Sequence, residues 1–174
     1  MTSTAPWWGT SLFTLATGLV TGLIAAFAAL APKRTERRLE RRRLSREHKE
    51  TAYPEITRAT YALATAPLWS TTADEHKALL QELVAATHAA AFFAPTPVIA
   101  AIHGLLEAAN GLSDRRDDIR ATSRPGHQGT IDLARAGEHA EALDQIRAAL
   151  QTFVDASRAD LEIPGGYPIL ITPA

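Results

Sequence analysis

Apolar and polar positions alternate in different ways along the chain, and the changes mark its segments. From Thr2 through Pro32 no side chain is charged. A basic stretch follows, and beyond it the apolar positions return with the three-to-four spacing of an α-helix face. Tyr53, Ile56, Thr60 and Leu63 predict a helix running to about Ala66, bent at Pro54 and closed by Pro67. Thr72-Ala-Asp-Glu75 has the form of a capping box, in which a hydroxyl and a carboxylate satisfy the first turn from opposite ends. The helix it opens carries Leu79, Leu80, Leu83, Val84, Thr87 and Ala91 and is expected to end near Ala94. Thr96-Pro97 reads as N-cap and first helical position of the next helix, with Val98, Ile102, Leu105, Ala109 and Leu112 as its apolar stripe. Residues 121–130 form the clearest loop. A last helix over 131–161 places Leu143, Ile146, Leu150, Phe153 and Ser157 on one face.

The charge-free segment is the strongest single signal. Trp8 through Ala31 is 24 residues, about 36 Å of helix, against a hydrocarbon core of about 30 Å. A cleaved signal peptide expects its positive charge before the apolar run, and here the charge comes after it. The segment 8–31 is therefore expected to be a retained transmembrane helix. Cationic flanks resist translocation, so the side beginning Pro32-Lys33-Arg34 is expected to stay in the cytoplasm, with residues 1–7 outside. Trp7 and Trp8 then fall at the outer headgroup layer as interfacial anchors. Small residues recur every fourth position at Thr14, Gly18, Gly22 and Ala26. Gly18, Gly22 and Ala26 make a stripe on which two membrane helices can approach closely, so a homodimer is a candidate state.

Charge refines this picture. The formal net charge is only -1, but residues 33–49 hold nine Lys or Arg against Glu36, Glu40 and Glu47. A basic neck thus joins a mildly acidic body. Clustered cations beside a membrane helix favour anionic headgroups, so Arg37, Arg38, Arg41, Arg42 and Arg43 are the expected lipid contacts. Residues 28–52 hold no Phe, Tyr or Trp to stack on bases, and no DNA-binding motif surrounds the run, so nucleic acid is not the expected partner. The neck also carries Arg43/Glu47 and Arg46/Glu50 at helical i,i+4 spacing. With no cysteine, neither a disulfide framework nor a thiolate site can form.

The expected architecture is all-α: a transmembrane helix (8–31), a basic helical stalk (32–52), an antiparallel cytoplasmic bundle (53–163) and an apolar tail (164–174). The tail, Leu161 to Ala174, contains the alternating run Tyr167 to Pro173 and is expected to pack on its own bundle, to fray or to join a partner. No phosphate loop, nucleophile elbow or zinc-protease motif is present. His103 and Glu107, one turn apart, with His88 on the preceding helix, are the nearest approach to a metal set. They read better as surface residues, so neither metal nor cofactor is expected. Asp114, Asp117 and Asp118, interleaved with Arg115, Arg116 and Arg120, read as a solvated helix end.

An apolar N-terminal helix, the segment "KRTERRLERRRLSREHKETAYPEITRATYAL" and the closing "EALDQIRAALQTFVDASRADL" together resemble a type of small single-pass membrane protein common in actinobacteria. The resemblance is one of layout over nearly the whole chain. It implies topology and a helical fold and carries over no site. The expected role is a membrane-anchored helical interaction module with an unidentified cytoplasmic or membrane protein partner. The alternative is an accessory subunit of a membrane enzyme, transporter or plasmid-transfer system.

Overall fold

The computed structural model describes residues 39–40, 42–126 and 131–165. The expected membrane helix, with Trp7, Trp8, Gly18, Gly22 and Ala26, lies outside these residues, as do Arg37, Arg38 and Arg41. Among the described residues no helix is long and apolar enough to cross a membrane. Arg42 and Arg43 are helical and exposed.

The described residues are all-helical, with no strand. Helix α1 spans 42–65, α2 Ala73–Ala91, α3 Thr96–Thr122 and α4 Leu133–Asp160. The compact unit begins at Ser45 and so takes in the last basic residues of the neck. Contacts define an up-down-up-down bundle. Lys49, early in α1, pairs with Asp160 at the end of α4 (2.9 Å). Arg58 in mid-α1 reaches Glu82 in mid-α2 (2.6 Å). Arg115 late in α3 meets Glu138 early in α4 (2.9 Å).

Local chemistry explains most of the boundaries. Pro54 lies in the helical run of α1 without ending it. After Ala66 and Pro67 the chain turns, and the Thr71 amide returns to the Pro67 carbonyl (3.3 Å). The capping box of α2 is formed on both sides: Thr72 Oγ1 accepts from the Glu75 amide (3.2 Å), and the Glu75 carboxylate accepts from the Thr72 amide (2.8 Å). The Thr72 amide, and after it the Thr72 hydroxyl, which donates to the same carboxylate (2.9 Å), hold the Glu75 carboxyl below its ordinary pKa.

Three boundaries differ from the sequence reading, one of them at the expected 121–130 loop, whose Ala121 and Thr122 are the last residues of α3. Helix α2 stops at Ala91, three residues early, because Pro95 disfavours helical geometry just before itself and the Phe93 and Ala94 amides both close on the Ala90 carbonyl. The N-cap of α3 is Pro95, not Thr96: Pro95 is extended, its carbonyl accepts from the Ile99 amide (3.0 Å), and Thr96 is already helical. The turn between these helices leaves Phe92 85% exposed, while Phe93 stacks on His48 of α1 with ring centroids 4.8 Å apart.

The core follows the anticipated stripes on α3 and α4. Val98, Ile102, Leu105, Ala109 and Leu112 are buried, as are Leu143, Ile146, Leu150, Phe153 and Ser157. They meet Tyr53, Ile56, Thr60 and Leu63 from α1. The stripe of α2 is shifted. His76, Leu83, Thr87 and Ala90 are buried, Leu79, Leu80 and Val84 are half-buried, and Ala91 is exposed.

Candidate functional site

Two features stand apart from ordinary packing. The first is a polar centre around Arg116, which the charge pattern placed in solvent. Its side chain is 1% exposed. The reason is positional: Arg116 continues the buried stripe of α3 one turn beyond Leu112 and one turn before Ile119. Its guanidinium donates to the carbonyls of Leu63 (2.8 Å) and Ala64 (3.0 Å), among the last in α1. Its Nε donates to His139 Nε2 on α4 (3.3 Å), and Nη1 lies 3.3 Å from His76 Nδ1 on α2. One side chain thus joins all four helices. Arg120, one turn on, donates to the carbonyls of Leu68 (3.1 Å) and Thr71 (2.9 Å) in the α1–α2 connection.

The electrostatics of this centre are set by geometry. Helix C-termini carry partial negative charge and unfilled carbonyls, and the forked guanidinium answers both. Burial, then the charge of Arg120, lowers the Arg116 pKa to about 10, so it stays cationic at neutral pH. Because arginine only donates, both histidines must present a bare ring nitrogen to it and must be neutral. Burial, then Arg116 and Arg120, lower His76 to about 4, with Asp117 opposing. Burial, then Arg116, lower His139 as well. This arrangement is a clamp: its donors go to the protein's own carbonyls and imidazole nitrogens.

The second feature is an apolar groove of about 540 Å³ between α1 and α4. Tyr53, Pro54, Thr57 and Tyr61 line it from α1, and Phe153, Val154, Ser157 and Leu161 from α4 and its end; Ile163 lines it too, with Glu50, Arg58 and Arg158 completing the lining. Tyr53 anchors one wall. Its ring meets Phe153 edge to face at 5.9 Å, and its hydroxyl donates to Asp160 (2.7 Å), which also holds Lys49. Burial, then the bond to the Asp160 carboxylate, raises the Tyr53 pKa. Ser157 is 5% exposed, and its buried hydroxyl meets no hydrogen-bond partner.

The groove was not legible as a site, since it arises where two helices distant in sequence meet. Of the anticipated surface residues, His88, His103 and Glu107 are all exposed on α2 and α3. Among the described residues no group of three potential metal ligands converges. Arg46 and Glu50 do form their i,i+4 pair (2.9 Å). No protein-family model, curated protein or solved structure matches the chain.

Proposed function

We propose that this protein is a single-pass, membrane-anchored helical interaction module, its bundle on the cytoplasmic side and its α1–α4 groove a receptor for an apolar peptide segment. The groove carries this reading. It falls within the 300–1,000 Å³ typical of binding clefts, and its lining is largely aromatic and aliphatic with a few polar groups, as in ligand-binding clefts generally. The charge-free run ending at a cationic neck supports the anchor and its orientation. The neck's arginines supply contact with anionic headgroups.

Fractionation and reporter fusions test it together. The chain should stay in the membrane pellet through alkaline carbonate washing. A reporter active only in the cytoplasm, joined after Ala174, should work, and one active only outside should not. Release by carbonate, or activity of the outside reporter, would overturn the anchored reading.

A further inference from the structure

We infer that the occupant of the α1–α4 groove is the chain's own segment Tyr167–Ile171, docked in cis. The inference rests on the groove's being a peptide receptor, but its test reads only contacts within one chain and is independent of membrane anchoring. Three observations support it.

The first is the way the chain leaves α4. The Glu162 amide donates to the Ala159 carbonyl (3.2 Å) and the Ile163 amide to the Arg158 carbonyl (2.9 Å), with Glu162 at φ 58°. This is a Schellman turn, which reverses the chain at a helix end. It brings Ile163 into the groove lining. Arg158, itself part of that lining, then donates to the carbonyls of Pro164 (2.8 Å) and Gly165 (3.1 Å). Gly165 has φ 85°, a geometry natural to glycine. The chain is thus held beside the groove as far as Gly165, two residues before the segment begins.

The second is length and chemistry. Along α1 the groove runs from Glu50 to Tyr61, about 16 Å at helical rise. Five extended residues cover about 17 Å. Tyr167, Ile169 and Ile171 alternate in sequence, so an extended segment presents them on one face to apolar walls.

The third is Ser157. Its hydroxyl is buried at the groove without a partner. Buried hydroxyls are ordinarily bonded, and an extended backbone offers both donors and acceptors to it.

The absence of cysteine allows a direct test in the full-length chain, with the anchor in detergent micelles. Thr57→Cys is paired with Ile169→Cys, and Asp144→Cys, exposed and outside the groove lining, with Ile169→Cys as control. Each pair is oxidised at low protein concentration, with isotope-light and isotope-heavy chains mixed. Peptide mapping then separates disulfides within a chain from those between chains. Docking in cis predicts that the 57–169 pair closes within one chain about tenfold faster than the control, because a docked segment holds its partner at high effective concentration. Adding Val154→Glu, which puts a carboxylate on the apolar wall, should remove that advantage. Equal rates for the two pairs, a disulfide mainly between light and heavy chains, or no disulfide at 57–169 would each overturn the inference.

Discussion

At the residue scale, Arg116 shows how one cation can be buried without a carboxylate beside it. Removing a charge from water is expensive unless hydrogen bonds and local dipoles replace the solvent. Here two terminal carbonyls of α1 and two imidazole nitrogens do so. The consequence is a pH dependence of stability. His76 and His139 have folded pKa values below their ordinary 6.5. As pH falls below about 6.5 the unfolded chain takes up these protons first, so the stability they contribute is complete above that value. It is lost as pH drops toward 4, the folded value of His76. Taking His76 alone, lowering pH from 7 to 4.5 should remove about 2 kcal/mol. His76→Gln keeps an acceptor for Arg116 and cannot titrate. Urea unfolding followed by far-ultraviolet circular dichroism should therefore show a shallower acid loss in that variant, by about this amount. Identical pH profiles would mean that His76 does not contact Arg116 as a neutral acceptor.

At the scale of the element, helix ends are where local sequence and tertiary context divide the work. The capping box Thr72–Glu75 was legible because all of its partners lie within four residues. The stripes of α3 and α4 were legible because a helix buried on one face repeats its apolar positions. What was not legible depended on distant partners. Arg116 sits in a run of alternating charges that reads as a solvated surface until the carbonyls of Leu63 and Ala64 are brought against it. His76 was missed because its neighbours do not reveal that α2 turns this position inward. The groove appears only when Tyr53 and Tyr61 meet Phe153 and Val154 across the bundle. The end of α4 offers a test that is purely local. Its Schellman turn places Glu162, not glycine, at φ 58°, a conformation that costs an L-residue about 1 kcal/mol or more. Glycine's greater freedom in the unfolded chain offsets part of that gain. Glu162→Gly is accordingly expected to raise stability by about 0.5 kcal/mol, measured as a small rise in Tm. A fall in Tm would show that the Glu162 side chain supplies more than the backbone strain removes.

At the scale of the whole molecule, the helical bundle and the charge-free segment 8–31 call for different physics. The bundle hides its apolar stripes from water among four helices, and its groove is matched in length by a segment of the same chain. In the proposed membrane-anchored form the segment 8–31 would have no such driving force, because lipid tails are as apolar as its leucines. There, pairing depends on how closely two backbones approach. Thr14, Gly18, Gly22 and Ala26 fall four apart, so on a helix they form one stripe with no side chain large enough to hold a partner away. Leu12, Leu15, Leu19, Leu23 and Ile24 fall off that stripe. Gly22→Ile adds a branched side chain to the stripe while making the segment more apolar, so insertion should be unchanged and pairing reduced. Leu23→Ile introduces the same branched residue outside the stripe. In a membrane two-hybrid assay, Gly22→Ile is expected to lose most of the dimer signal and Leu23→Ile to keep it. If both variants match the natural sequence, the small residues reflect composition alone, and any dimer must form through the helices of the bundle.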